Sequence, residues 1–170
     1  MIQRKQSVYL FLAAAILSVT YFFPLSSFIG ETDSLVLYLY KVISLVPDSL
    51  VPLSPYFILP LFTIVSLVVV MSFVTIFLFK NRRVQLILVR FMLLLLLVYI
   101  GVFFFYYVDV LSNLSGGIAS YPNGLTIPST DIQIPTIVFI VPLVSAVLLF
   151  LASRGIIGDE KLVRSTERLR

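Results

Sequence analysis

Residues 56–108 read YFILPLFTIVSLVVVMSFVTIFLFKNRRVQLILVRFMLLLLLVYIGVFFFYYV, and this stretch decides the fold. It contains two long apolar runs, residues 56–79 and 84–108, joined by the polar sequence KNRR. A helix needs about 20 apolar residues to cross about 30 Å of hydrocarbon, and both runs are long enough. Because the connection is so short, the two helices must be antiparallel neighbours. The stretch therefore predicts a transmembrane helical hairpin.

Two further runs of the same kind flank this hairpin, at residues 8–29 and 134–152. The chain of 170 residues is 60% hydrophobic and 12% charged, and its mean hydropathy is +1.11. That is more apolar surface than a soluble core of this size can bury. We predict an all-α membrane protein, a bundle of four transmembrane helices over residues 1–158, followed by a basic tail at 159–170.

The first run also resembles a signal peptide, since a short basic start followed by an apolar stretch is typical of one. The run is long, however, and its small residues Ala13, Ala14 and Ala15 lie in the middle. Only a weak cleavage sequence, Leu25-Ser26-Ser27, follows Pro24. We therefore expect the run to be retained as the first helix.

Basic residues indicate the orientation of the bundle. Eleven of the twelve lysines and arginines lie in the start, the hairpin turn with its neighbouring helix end, and the tail, whereas Lys41 lies in a loop on the other side. That other side holds five of the eight acids, which are Glu31, Asp33, Asp48, Asp109 and Asp131. Positively charged flanks stay on the cytoplasmic side, so both termini are predicted to be cytoplasmic.

The two outer loops are predicted to form a small extracytoplasmic cap. In the first loop the apolar stretch 35–46 is too short to span and is followed by three prolines, which favours a short interfacial or packed helix. A peripheral helix that only shields the bundle fits equally well. In the second loop, residues 109–133, the sequence Pro-Asn-Gly at 122–124 predicts a tight turn between two short strands.

The residue types exclude most chemistry. The sequence has no cysteine, histidine or tryptophan, and therefore no thiolate, no imidazole and none of the usual transition-metal ligands. The polar groups within the four runs are mostly hydroxyls, whereas a proton-coupled transporter would place acids near the midplane. We predict that the protein is not an enzyme and uses no cofactor or metal.

Arg90 lies inside the third apolar run, seven positions after Arg83 and so about 10 Å deeper along a helix. No acidic residue lies at a matching depth. The long side chain of Arg90 can reach back to the lipid phosphates. In a functional role it would bind an anionic lipid headgroup or a carboxylate of another subunit.

The tail predicts a short basic amphipathic helix that begins at Asp159, a good N-cap residue. Glu160 is spaced to pair with Arg164. Such a helix is typical of a docking element for a cytoplasmic protein, with nucleic acid as the less favoured partner. An anchor on anionic lipids is an equally good interpretation.

The two ends of the chain, MIQRKQSVYL at 1–10 and DEKLVRSTERLR at 159–170, resemble a family of small four-helix inner-membrane proteins of Bacteroidetes whose function is unknown. Its members begin MIQRxQSVYL and end DEKLVRSxxRLR, and the similarity is diffuse between the ends. The resemblance implies a bacterial inner-membrane location and provides no catalytic residues. It also implies that both ends make specific contacts, with each other or with a common partner. The candidate contact residues are Gln3, Arg4, Gln6, Lys161, Arg164, Arg168 and Arg170.

These observations favour a non-enzymatic accessory or scaffold subunit of a larger inner-membrane complex, whose partners are membrane lipids and other membrane-protein subunits. The alternative is a small transporter or lipid-binding protein that uses a groove near Arg90 and Pro142. A membrane enzyme ranks last, because the remaining acid, base and nucleophilic groups do not converge in the sequence.

Overall fold

The structure is a computed structural model that describes residues 5–29, 34–45, 55–78, 81–116, 118–120, 126–128, 131–135 and 137–168. It is mostly helical. The α-helices are α1 (Lys5–Ser18), α2 (Leu59–Phe77), α3 (Arg82–Val102), α4 (Val108–Gly116) and α5 (Ile137–Arg168). The strands are β1 (Ser26–Ile29), β2 (Ser34–Leu37), β3 (Val42–Ser44), β4 (Ile118–Ser120), β5 (Thr126–Pro128) and β6 (Asp131–Gln133).

The chain forms two compact units. The first comprises Met1–Val19, Ile64–Val98 and Val141–Arg170 and contains eleven of the twelve basic residues, so we call it the basic unit. The second comprises Thr20–Thr63 and Tyr99–Ile140, and we call it the sheet unit because it contains all the described strands.

Three helices among the described residues are long and apolar enough to cross a membrane, at Tyr56–Phe77, Arg82–Asn113 and Val138–Asp159. They correspond to the predicted runs 56–79, 84–108 and 134–152. The apolar helix at Gln6–Tyr21 is shorter. The hairpin turn between α2 and α3 is closed by backbone hydrogen bonds, in which Asn81 N–H donates to the Leu78 carbonyl and Gln85 N–H to the Asn81 carbonyl.

Each helix of the basic unit packs against its neighbours through one stripe of buried residues. In α1 this stripe is Leu10, Ala13, Ala14 and Leu17, at the three- and four-residue spacing of a single helix face. Small residues allow helices to approach closely. Accordingly, the Ser145 hydroxyl of α5 lies 3.4 Å from the Ala13 carbonyl of α1, to which it donates a hydrogen bond.

The sheet unit contains a four-stranded antiparallel sheet in the order β3-β2-β1-β6. Phe28 lies opposite Leu35 on one side and Ile132 on the other. Alternation along the strands buries Phe28, Leu35 and Leu37 completely or nearly so, and leaves Ile29 43% exposed. A separate hairpin pairs β4 with β5, and α4 contacts β1, β2 and β5. The β4–β5 pairing confirms the hairpin predicted in the second loop.

The sheet corrects two predictions about the first half of the chain. The predicted helix 8–29 is too long, because α1 continues only as a 3-10 turn to Tyr21 and residues 26–29 form β1. Pro24 lacks an N–H and disfavours helical geometry in the residue before it, and the segment then pairs with strands on both sides. The predicted helix at 35–46 is wrong, since this stretch forms β2 and β3, joined by a turn in which Tyr38 N–H donates to the Lys41 carbonyl. The fold is therefore not all-α.

The third helix is longer than predicted. It continues from α3 through a π-helical turn, Phe103–Tyr107, into α4, so the second loop is not helix-free from residue 109. The buried residues Tyr99, Phe103, Tyr107 and Leu111 are four positions apart, which exceeds the 3.6 residues of an α-helical turn. The wider π turn keeps such a series on one side of the helix.

The fourth helix is also longer, because α5 is a single helix of 32 residues. The predicted break at Gly158 and the N-cap at Asp159 are wrong. A glycine within a helix costs only about 1 kcal/mol relative to alanine, which the bonds of the neighbouring turns outweigh. The predicted amphipathic tail is thus the end of α5 rather than a separate helix.

Candidate functional site

The structure places the predicted contact residues at different positions. Gln6 is buried in the first turns of α1, at 2% exposure, whereas Arg90 is exposed on α3. Lys161, Arg164 and Arg168 belong to the last turns of α5. The predictions for Gln3, Arg4 and Arg170 fall outside the described residues.

One short segment of α5 contacts both α1 and α3. Gly155 packs against Gln6, so closely that a Cβ atom on Gly155 would lie 3.5 Å from the Gln6 Cβ. One turn further on, the Arg82 guanidinium donates a hydrogen bond of 2.6 Å to the Asp159 carbonyl. The first turns of α1 and the segment of α5 just before the tail therefore meet. The predicted contact of Gln6 with the tail residues themselves stays a prediction.

Two buried amides distinguish the interior of the basic unit. The Gln85 side chain of α3 is fully buried, and its Nε2 donates to the Thr75 carbonyl of α2 at 3.2 Å. The Oε1 atoms of Gln85 and of Gln6 are buried and have no hydrogen-bond partner within the described part of the chain. Such oxygens accept a hydrogen bond readily, and each unpaired one costs about 1–3 kcal/mol of stability.

Sequence analysis did not identify Gln85 as a candidate, although a signal was available. Arg82 and Gln85 are three positions apart on α3. They lie on the same side of this helix as the buried apolar residues Val89 and Met92. A polar residue in register with an apolar stripe is placed towards the neighbouring helices.

Several hydroxyl groups of the helices bond to the backbone of their own helix. Ser18, Ser72 and Thr75 each donate to the carbonyl four residues earlier, at 2.8, 2.8 and 2.6 Å. No charged side chain is buried among those that the structure describes, and these residues contain no group of three acids, cysteines or histidines that could hold a metal ion. The described interior thus offers neutral hydrogen-bond acceptors and no acid–base pair.

Arg90 belongs to an exposed face of α3 that repeats every three or four residues. Its members are Arg83, Ile87, Arg90, Leu94 and Leu97. Pro142, by contrast, is buried within α5. In the described part of the chain no hydrogen bond or ring contact joins the predicted pair of groove residues, Arg90 and Pro142.

The sheet unit presents aromatic rings on its surface. Phe22, Tyr56 and Phe105 are 80%, 76% and 88% exposed. The buried Tyr107 of the same unit donates its hydroxyl to the Phe57 carbonyl, and the two rings lie 4.8 Å apart. Lys41 lies over the rings of Tyr38 and Tyr40, at 5.5 and 5.4 Å from their centroids. Exposed aromatic rings of this kind are enriched where membrane proteins meet the membrane–water interface.

Comparison with known proteins agrees with the similarity of the two ends. The chain matches no curated protein and no solved structure. One family model covers residues 2–169, nearly the whole chain, and therefore includes the buried amides, the Arg90 face and the sheet. The chain belongs to the family described as Domain of unknown function (DUF4293).

Proposed function

We propose that this protein is a non-enzymatic integral protein of the bacterial inner membrane, and that it serves as an accessory or scaffold subunit of a larger membrane complex. In this proposal α1, α2, α3 and α5 cross the membrane and both termini are cytoplasmic. The interior supports a structural role, because its described polar groups are neutral and most of its hydroxyls bond to their own helices.

The distribution of charge supports a fourth span. With three spans the two ends of the chain would lie on opposite sides, yet both ends are basic and belong to the basic unit. The helix Gln6–Tyr21 is short for a span, and the non-helical residues 22–25 lie between it and β1. Exposed Phe22 and Phe23 suit this position, since aromatic rings favour the membrane–water interface.

The observation that carries the proposal is the length of α5. Its 32 residues make a helix about 48 Å long, whereas the hydrocarbon core is about 30 Å thick. The apolar span ends at Asp159, and the helix continues over residues 160–168 for about 13 Å. Lys161, Arg164 and Arg168 recur at three- and four-residue spacing along this part of the sequence. A basic segment held on a continuous membrane helix is suited to docking a cytoplasmic partner.

Orientation can be tested by cysteine labelling, because the chain has no native cysteine. The variants are Ile2→Cys, Asn81→Cys and Asn113→Cys, of which the last two replace exposed side chains. In spheroplasts with intact inner membranes, we expect a membrane-impermeant maleimide to label only Asn113→Cys. The other two should react after the membranes are opened. Labelling of Ile2→Cys in intact spheroplasts would instead show three spans.

The role as a subunit can be tested by purification at native expression level in mild detergent. We expect a larger membrane protein to be recovered in stoichiometric amount with the wild type. The triple variant K161Q/R164Q/R168Q should lose it, whereas the control Arg154→Gln, an exposed arginine earlier on α5, should retain it. Recovery of the wild-type protein with lipid alone would contradict a subunit role and favour the lipid-binding alternative.

A further inference from the structure

The exposed face of α3 combines apolar residues with two arginines. Ile87, Leu94 and Leu97 are 65%, 57% and 72% exposed, and Arg83 and Arg90 lie on the same side of the helix. Successive members of this face are four, three, four and three positions apart. Such a 3-4 repeat keeps a single line of side chains along a helix. This arginine–apolar face is therefore continuous over about four turns.

The guanidinium groups of Arg83 and Arg90 are unpaired among the described residues. Neither Arg83 nor Arg90 has an ion pair or hydrogen bond within the described part of the chain. They are seven positions apart, about 10 Å along the helix, and Arg90 is followed by a run of five leucines. An arginine that faces hydrocarbon at this depth is expensive unless an anion or water reaches it.

We infer that the arginine–apolar face binds an anionic glycerophospholipid of the cytoplasmic leaflet. The phosphate lies between Arg83 and Arg90, which the long arginine side chains allow. One acyl chain lies along Ile87, Leu94 and Leu97. Guanidinium groups form forked hydrogen bonds with phosphate oxygens, so both the charge and the geometry fit this ligand.

The charges argue against a second copy of this chain on the same face. In a twofold dimer the face would meet itself, and Arg90 would approach another arginine. Two of the eight acids, Asp109 and Asp159, fall within the candidate spans. Asp109 is nineteen positions after Arg90 on the same helix and Asp159 is the last residue of its span, so neither lies at the depth of Arg90 to neutralise it. A helix of another protein with a buried carboxylate is the remaining occupant, and the experiment distinguishes it from lipid.

The test is native mass spectrometry of the full chain in mild detergent, with phosphatidylglycerol or phosphatidylcholine added. We expect the wild type to retain phosphatidylglycerol in preference to phosphatidylcholine. Arg90→Ala should weaken phosphatidylglycerol retention about fivefold, as expected for losing one basic residue near anionic lipid. Arg90→Lys should retain more of the binding than Arg90→Ala but less than the wild type, because lysine keeps the charge and loses the forked hydrogen bonds. Arg154→Ala is the control, because this exposed arginine of α5 lies outside the face.

Two results would overturn the inference. One is equal retention of phosphatidylglycerol by the wild type and by R83A/R90A, with both proteins eluting as the same species in size-exclusion chromatography. The other is loss of a co-purified protein from Arg90→Ala while lipid retention is unchanged, which would assign the face to a partner helix. The inference depends on the proposed orientation but not on the subunit role. Labelling of Asn81→Cys tests the orientation separately.

Discussion

The basic unit and the sheet unit differ in both charge and secondary structure. The basic unit contains eleven of the twelve basic residues and three of the eight acids, whereas the sheet unit contains Lys41 and the other five acids. Helices alone build the described part of the basic unit, and the four-stranded sheet belongs entirely to the sheet unit. Charge and secondary structure therefore divide the molecule in the same way.

The difference shows how each unit provides hydrogen-bond partners for its backbone N–H and C=O groups. A helix bonds its own N–H and C=O groups, which is a requirement for a segment exposed to lipid. A sheet with edges leaves some of these groups to water, so the edge strands β3 and β6 suit an aqueous location. The sheet also depends on distant pairing, since β1 at residues 26–29 pairs with β6 at 131–133. We therefore expect the sheet unit to be the more easily opened of the two.

The largest effect should come from Phe28→Ala. Phe28 is fully buried on the central strand β1, and truncation of a buried phenylalanine costs about 3–5 kcal/mol. We expect hydrogen exchange in detergent to accelerate at the amides of β1, β2 and β6. The neighbouring Ile29→Ala is the control, because Ile29 is 43% exposed. Equal loss of protection in α1 and α5 would mean that the two units open together, and the comparison would fail.

A smaller effect is expected where α1 packs on α5. Gly155→Leu should lower stability by about 1–3 kcal/mol, the usual range for overpacking, because its side chain would extend into Gln6. Gly158→Leu is the matched control, since nothing lies within 4 Å of the Cβ position there and a better helix former replaces glycine. Thermal unfolding in one detergent compares the two. A lower unfolding temperature for Gly158→Leu than for Gly155→Leu would contradict this packing.

Gly155→Ala tests the same contact between α1 and α5 with a smaller side chain. A Cβ at 3.5 Å from the Gln6 Cβ is ordinary van der Waals contact, so alanine should be tolerated. Removing a helical glycine should then raise stability by about 0.5–1 kcal/mol. A loss of stability in Gly155→Ala would show that α1 approaches α5 more closely than the structure indicates.

The sequence predicted the helices of the fold better than its sheet. The length of the apolar runs identified the three long helices. A membrane-crossing helix needs about 20 apolar residues in a row, and few other structures need so many. It could not identify β1, since a strand at 26–29 follows an apolar helix without a change in composition and is defined by its partners β2 and β6. The local signal of Pro-Asn-Gly was enough for the β4–β5 hairpin.

Within the apolar runs, the sequence predicted a site residue only where that residue carries a charge. Arg90 was found because a charge in an apolar run is conspicuous, and the structure adds that it lies on an exposed face. Gln85 was missed because a neutral amide barely interrupts hydropathy, although it is fully buried. The contact between Gln6 and Gly155 depends on the packing of the first helix on the last, which no local pattern encodes.

An effect about as small as that of Gly155→Ala is expected at the π-helical turn, where Tyr106 and Tyr107 are adjacent but differ in burial. The Tyr107 hydroxyl is bonded to the Phe57 carbonyl and its side chain is buried, whereas Tyr106 is 51% exposed. Tyr107→Phe removes one hydrogen bond without removing the ring, which should cost about 0.5–1.5 kcal/mol. Tyr106→Phe should change stability by less, and thermal unfolding of both variants in the same detergent gives the comparison. If the two variants are equally stable, the bond to Phe57 contributes nothing, and the π turn is maintained by ring packing on Phe57 alone.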